Sequence, residues 1–449
     1  MASGSANVDA AVRVAVRIRP RLPLDNPLPS EICPFAFSSA SQTVTLPDQS
    51  SYSFDDVFWG LQDTADADGN AAVSQFDVYR RLVQPLLEAS MQGYNCCLFA
   101  YGQTGSGKTH TMMGNVERGE IDGMVPLLCK ELLTRIDVAG STQQQVDAGD
   151  DDGRTRSVNV TMAGGEIWTV VVGMVEVYNE RVFDLLAERD VKTKELKLLN
   201  LSFVPSRGAV IEEQSLIPVS NIVDLLALVQ RGFRSRATSQ TGMNERSSRS
   251  HAIIQLHLRK HGYYDGSGGN AAAAQGGPGT HPPGAAGVSL VKRPAAAERI
   301  VTQQCVANLV DLAGSEKMAT SAGSHTSEKQ LTEMSKINLS LTVLGRVIDA
   351  LIEQSEKKKG MATAPRHIPY RESKLTMLLS SSLGGNSRTA MIGTISPAAA
   401  SFETSKNTLQ FASRARAIIN KASVNEDPRV ADRRRMLELE KTVSDLLRR

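Results

Sequence analysis

The feature that most constrains this chain is the loop at residues 102–109, GQTGSGKT, which fits the spacing G-x-x-x-x-G-K-[ST] in full. An apolar run, NCCLFA, lies just before it and a helix-compatible stretch follows. Gly102, Gly105 and Gly107 let backbone N–H groups turn toward phosphate oxygens, and the following helix offers its positive dipole end. On this reading Lys108 reaches the β- and γ-phosphates of a nucleotide and Thr109 ligates Mg²⁺. The rest of the chain must build a strand–loop–helix unit and say what the phosphate energy is used for.

Strands alternating with helices between Val12 and Leu409 point to an α/β sheet wrapped by helices. VRVAVRIRP, with Val12, Val14, Val16 and Ile18 at period two, predicts a half-buried first strand ended by Pro20. VYRRLVQPLLEAS and GMVPLLCKELLTRI predict helices. Residues 139–157 (acidic, with DAGDDDGR) and 261–298 (a Gly/Ala/Pro tract) interrupt this pattern as low-complexity loop insertions. The second insertion lies between AIIQLHL and CVANLV and reads as an elongated hairpin loop, which costs little because closure entropy grows logarithmically with length.

Composition narrows the partners. The 449 residues suffice for one large or two to three ordinary domains, and 41% hydrophobic with 22% charged is ordinary for a soluble globular protein. Lys+Arg 50 against Asp+Glu 48 leaves a net charge of +2, so no nucleic-acid partner is announced and any basic surface is a local patch. The five cysteines, Cys33, Cys96, Cys97, Cys129 and Cys305, form no CxxC pair and read as buried thiols of a reducing compartment. No signal pattern opens the chain, and no apolar run approaches the roughly 18 residues of a membrane span, so cytoplasmic residence without membrane insertion is expected.

Two further motifs carry chemistry. In VANLVDLAGSE an apolar strand ends at Asp311, the arrangement that sets a carboxylate near Mg²⁺, and Gly314 offers a backbone N–H to the γ-phosphate. NERSSRSH, residues 244–251, concentrates hydroxyls and arginines: its serines could ligate Mg²⁺ and orient an attacking water, and Arg249 could pair with Glu316.

GQTGSGKT, NERSSRSH and DLAGSE, with RIRP, FDDVFW, VEVYNERVFDLL, HIPYRESKLT and SLGGNSRTAMIGTISP in the same order, resemble a kinesin motor head from about Val12 to Asp427. The resemblance implies a P-loop NTPase fold with a mostly parallel twisted sheet. It implies an ATP site in which Arg17, Pro20 and His110 flank the adenine with Arg19 nearby. Residues 102–110 (Gly102, Gln103, Thr104, Gly105, Ser106, Gly107, Lys108, Thr109 and His110) then surround the nucleotide. Thr109 and Ser248 ligate Mg²⁺, with Asp311 acting through water. Ser247 helps place the lytic water, Arg249 pairs with Glu316, and Glu316 helps take the proton. Phosphoryl transfer needs positioning and charge stabilisation more than a strong base, which agrees with this set.

The same resemblance supplies a track. Residues 332–352 carry Ile337, Leu341, Leu344, Ile348 and Leu351 at 4-3-4-3 spacing, one apolar face of a long helix, and match the helix that relays nucleotide state to tubulin. Leu339 stands where the family usually has a lysine. Lys317, Lys357, Lys358, Lys359, Arg366, Tyr370, Arg371 and Lys374 are the implied contacts with microtubules, whose αβ-tubulin surface is acidic. A flexible cationic loop there raises encounter rate in a salt-sensitive way. The lysine run and INKASVNEDP are similar to the third kinesin family, the vesicle and organelle carriers.

The expected layout is a flexible N-terminus (1–11), a motor domain (12–418), a neck linker (419–428) and the start of a neck helix or coiled coil (429–449). The last carries Met436, Leu439, Val443 and Leu446 at 3-4-3 spacing and implies a possible homodimer, with cargo contacted elsewhere. The implied function is a microtubule-stimulated ATPase motor moving toward plus ends, for cargo or organelle transport. A nucleotide-gated microtubule tether and a microtubule depolymerase are the alternatives. The depolymerase is disfavoured because no basic side chain lies in residues 1–11, and the tether because Lys108, Ser247, Ser248, Arg249 and Glu316 are intact. A regulatory GTPase would need N-K-x-D, which does not occur.

Overall fold

A computed structural model describes residues 8–22, 25, 33–61, 65–115, 122–137, 144–149, 155–163, 166–193, 195–204, 208–237, 248–264, 298–316, 328–357, 367–427, 429–430 and 436. The main sheet is assembled from β1 (Arg13–Ile18), β2 (Asp56–Phe58), β3 (Cys96–Tyr101), β4 (Glu166–Tyr178), β5 (His251–Tyr264), β6 (Glu298–Asp311) and β7 (Arg388–Ile395). Its order is β4-β5-β6-β3-β7-β1-β2, continued beyond β4 by the short strands Arg181–Asp184 and Leu198–Leu199.

The sheet is the expected α/β core, but it is mixed rather than mostly parallel. From β6 through β3, β7 and β1 to β2 every neighbour is parallel, whereas β4, β5 and β6 pair antiparallel. Parallel neighbours need helical crossovers; β5 and β6 are consecutive strands and pair as one long hairpin.

Each central strand feeds two cores. In β3 all six residues are buried, with Cys96, Leu98 and Ala100 on one face and Cys97, Phe99 and Tyr101 on the other. The first face packs on α2 (Met124–Asp137) and α3 (Ile222–Ala237) through residues such as Leu128, Leu132, Leu225 and Val229. The second packs on α4 (Glu328–Lys357) and α5 (Phe402–Ala415), where Leu344, Ile348 and Leu351 of the expected stripe are buried beside Val343 and Val347. Tyr101 stacks on Phe411 of α5 at 3.9 Å between ring centroids. The Ile337 side chain lies outside the described residues.

Several expectations change here. β1 is buried along nearly its whole length rather than half-buried, because it is flanked by β7 and β2 and covered on both faces. The N-terminus is not wholly flexible: Val8–Ala11 pair antiparallel with Ile419–Ala422, and Val12 N donates to Ile418 O at 3.0 Å. The first insertion is a hairpin, with Gln144–Gly149 pairing Thr155–Ala163, which in turn pairs the start of β4. Its second arm, TRSVNVTMA, alternates at period two, a signal masked by the neighbouring acidic run. The second insertion begins later than expected, since the β5–β6 ladder continues through His261↔Val301 to Tyr264↔Glu298 past a register shift. The neck-linker stretch lies along the head: Asn425 N donates to Gly93 O and Asp427 N to Thr302 O, each at 3.0 Å. Leu439, Val443 and Leu446 of the coiled-coil stripe lie outside the described residues.

Among the described residues, no helix is long and apolar enough to cross a membrane. All five cysteines are free thiols. Cys96, Cys97, Cys129 and Cys305 are buried and Cys33 is partly buried, and burial raises every one of these thiol pKa values.

Candidate nucleotide site

The carboxyl ends of the parallel strands gather the chemistry, as the crevice rule for open α/β sheets expects. β3 ends at Tyr101 and the glycine-rich loop leads into α1 (Lys108–Met113). Gly107 occupies the N-cap with φ 98°, a left-handed conformation that a Cβ would disfavour. β6 ends at Asp311, opposite Ala100 in the parallel ladder, and the register therefore carries Asp311 beside the loop.

A cavity of about 350 Å³ lies over the loop, lined by residues 104–111 with Arg17, Arg19, Pro20, Ser248 and Leu312 among its walls. Lys108 is buried, and its Nζ donates to Gly102 O at 2.9 Å and to Gln103 O at 2.8 Å. Burial pulls its pKa down from 10.5 to about 8, opposed by the nearby Asp311 and Glu316 and reinforced by Arg236. Thr109 Oγ1 donates to Asp311 Oδ2 at 2.8 Å.

The wall opposite holds the strand-end arginines. Arg17 is buried; its Nη1 donates to Thr111 Oγ1 at 3.1 Å and to Gln75 Oε1, and burial lowers its pKa to about 10. Gln75 Nε2 in turn donates to His110 O at 2.9 Å, tying both sides of the pocket together. Arg19 donates from Nε to Gly105 O at 2.7 Å and forms a two-pronged ion pair with Asp25 at 2.6 Å.

The segments carrying the other two motifs are tied to each other, and the one after Asp311 is tied to the phosphate loop. Gly314 N donates to Ser248 O at 2.9 Å, and Ser315 N donates to Gly102 O at 3.0 Å. Glu316 does not pair with Arg249 as expected. Its carboxylate is taken by Thr104, whose N–H donates to Oε2 at 2.8 Å and whose hydroxyl donates to Oε1. Two donors on one residue match the two carboxylate oxygens, and this pairing satisfies the group locally.

Two of the loop residues brace the structure rather than face the cavity with their side chains. Gln103 reaches Ser401 Oγ at 2.9 Å and accepts from Thr404. Ser106 Oγ sits 2.8 Å from Gln103 O and 2.7 Å from Thr394 Oγ1.

Sequence reasoning missed Arg236. It is among the largest fully buried side chains, and its Nη1 donates to Asp311 Oδ2 at 2.7 Å. Its Nε and Nη2 reach Ser250 Oγ at 3.1 Å and Ser250 O at 2.7 Å. In sequence it is one of several arginines near the end of an amphipathic helix, with nothing to distinguish it. His251, the last residue of NERSSRSH, has a structural role that the motif does not announce: its Nδ1 accepts from Ala313 N at 2.9 Å, so Nε2 carries the proton and donates to Ser340 Oγ at 2.8 Å. Burial lowers its pKa to about 3 and keeps the ring neutral.

The donor set suits Mg²⁺. Asp311 Oδ1 is buried without a hydrogen-bond partner, beside the Thr109 hydroxyl and near the Ser248 wall of the cavity. No group of three or more His, Cys, Asp or Glu side chains with metal-holding geometry occurs among the described residues. That combination fits a cation bound by one hydroxyl or two, a carboxylate and substrate oxygens rather than by a protein cage.

The expected track contacts divide. Lys317, Lys358, Lys359 and Arg366, like Ser247, lie outside the described residues, and Lys357 is described as the last residue of α4 without its side chain. Tyr370, Arg371 and Lys374 fall on one segment that leads into the short helix Lys374–Leu378. Tyr370 donates to Leu383 O, and the Arg371 guanidinium lies 4.7 Å from the Phe203 ring centre.

Comparison with known proteins agrees with this arrangement. A family model described as the kinesin motor domain matches residues 35–418. Kinesin-like protein K39 of Leishmania chagasi is 40% identical over 401 residues, 88% of this chain and 36% of the relative. Kinesin-like protein KIF14 of Homo sapiens is 36% identical over 422 residues, 93% of this chain and 22% of the relative. The chain thus spans little more than a third, or less, of the length of these curated relatives. A solved KIF14 dimer, in the two-heads-bound state with AMP-PNP in complex with a microtubule, superposes with a TM-score of 0.69 at 34% identity. That match covers 94% of this chain and 97% of the KIF14 chain.

Proposed function

Because the chain belongs to the kinesin motor-domain family, whose members are microtubule-stimulated ATPases and whose third family it most resembles, we propose that it hydrolyses ATP on microtubules and moves toward their plus ends. What carries the reading is one cluster: Lys108, Thr109 and Asp311 at the phosphate loop, with Gly314 N on Ser248 O and Ser315 N on Gly102 O. The Asp311–Glu316 segment therefore touches the loop that takes the phosphates and is joined in turn to Ser248, so a change at the γ-phosphate can be passed along both motifs.

In this reading Arg17, Arg19, Pro20 and His110 take the adenine, and protonated Lys108 pairs with the β- and γ-phosphates. Thr109 and Ser248 would hold Mg²⁺ with Asp311 behind them; the ion would neutralise charge developing on the phosphates. Ser247 helps place the water, Arg249 closes the γ-phosphate pocket by pairing with Glu316 once nucleotide is bound, and Glu316 helps take the proton through a second water. Phosphoryl transfer is dominated by positioning, so an arrangement of short donors without a strong base is what the chemistry needs. Lys317, Lys357, Lys358, Lys359, Arg366, Tyr370, Arg371 and Lys374 form the tubulin face. The reading includes a cytoplasmic, cytoskeletal location, homodimerisation through a neck coiled coil, and cargo or organelle transport.

The test is steady-state ATP hydrolysis with and without taxol-stabilised microtubules, at low and moderate salt. Large, salt-sensitive stimulation supports the coupled ATPase. Tight microtubule binding with unstimulated turnover overturns it in favour of a nucleotide-gated tether.

A further inference from the structure

Glu180 sits at a backbone position that its side chain should avoid. The β4 end at Tyr178 pairs with Arg181, leaving a two-residue hairpin loop of Asn179 and Glu180 with φ of 53° and 56°. Such a turn favours Asn followed by Gly, and a residue with a Cβ at the second position is strained. What the glutamate does there is reach across to the next layer. Its Oε1 accepts from Ser373 Oγ at 2.9 Å and its Oε2 accepts from Lys374 N at 2.7 Å. Ser373 is itself buried and is the N-cap of Lys374–Leu378, accepting from Leu375 N. One carboxylate thus holds the start of the segment that presents Arg371, which is exposed, and Lys374, which is half-buried.

We propose that Glu180 is a positioning residue for track binding: it anchors the 370–374 segment to the sheet edge so that its cations meet tubulin in a fixed geometry. This rests on the reading of Tyr370, Arg371 and Lys374 as track contacts. The anchor and the simple charge of Glu180 make opposite predictions. As a mere negative charge near an acidic track, Glu180 would weaken binding, and its removal would tighten it. As an anchor, its removal loosens the segment and weakens binding. Glycine at position 180 would also relieve the turn and offset part of the stability lost with the two hydrogen bonds, so track affinity should fall more than fold stability.

The experiment titrates ATPase activity with microtubules at low salt for the unmodified chain, Glu180→Gly and Glu180→Gln, with a thermal melt of each. Glu180→Gly is expected to raise the KM for microtubules about tenfold, the scale of one charge-assisted hydrogen bond. Basal ATPase and maximal kcat should stay within about twofold, and the melting temperature should fall by about 4 °C at most. Glu180→Gln, which keeps one acceptor, should raise KM by a smaller factor. An unchanged or lowered KM in both variants overturns the inference, as does a lowered melting temperature with parallel loss of basal activity. If the unmodified chain is not stimulated by microtubules at all, the functional reading falls and this inference falls with it. Stimulation of the unmodified chain with an unaltered Glu180→Gly titration sinks the inference alone.

Discussion

Replacing Arg236 by alanine should cost this protein a large share of its stability. The Arg236 and Asp311 side chains are 2% and 3% exposed, and their ion pair is 2.7 Å long. Arg236 also serves Ser250 twice, at its hydroxyl and its carbonyl. Arg236→Ala leaves Asp311 with the Thr109 hydroxyl on Oδ2 and nothing on Oδ1, a buried carboxylate whose nearest positive charge is gone. Breaking one side of a buried pair in this way typically costs about 3–5 kcal/mol, against a whole-domain stability of roughly 5–15 kcal/mol. The midpoint of urea unfolding, followed by circular dichroism at constant m, measures the loss. Adding Asp311→Asn removes the orphaned charge and should recover part of it, so the double variant should be more stable than the sum of single losses predicts. A loss below about 1 kcal/mol for Arg236→Ala, or strict additivity in the double variant, would refute the argument that the pair is desolvated and energetically coupled.

Other perturbations follow from the same geometry. Lys108, with its pKa lowered to about 8 by burial, must be protonated to meet phosphate; nucleotide affinity should therefore hold below that pH and fall as pH rises above it. Above pH 8 binding should take up a proton, measurable by calorimetry in buffers of different ionisation enthalpy; pH-independent binding from 7 to 10 would contradict this. Gly314→Ala would place a Cβ 2.3 Å from Thr104 Oγ1 and 2.5 Å from both Glu316 oxygens, so turnover should fall at least about tenfold while the circular dichroism spectrum is retained. Ser340→Ala removes the acceptor of the buried His251 N–H and should cost about 1–3 kcal/mol of unfolding free energy by the same urea assay.

Much of the fold was legible because its signals are local. The buried run of β3, the glycine loop and the start of α1 follow one another in eighteen residues or so, and the chemistry of the loop needs that order. The stripe on α4 and the cysteine burial were readable for the same reason: periodicity and apolar context report on a face. What escaped was set by contacts between distant segments. The antiparallel pairing of Val8–Ala11 with Ile419–Ala422 links the two ends of the chain, and nothing in VDAA announces it. The burial of Arg17 reflects a partner, Gln75, far along the sequence. The site was legible in its motifs and less so in its pairings. Asp311 was expected beside Thr109, and the structure brings them together. The preference of Glu316 for Thr104 over Arg249, and the presence of Arg236 behind Asp311, depend on which donors the fold brings within reach.

The central claim is that phosphate chemistry at Lys108 and Thr109 is coupled to movement along a track. A gliding assay with surface-bound protein, ATP and polarity-marked microtubules tests it most directly. Filaments that move steadily with their minus ends leading, stop when ATP is withdrawn, and stop in Lys108→Ala are the predicted result. Filaments that are captured and held without movement, or that shorten from their ends in the presence of ATP, would contradict it.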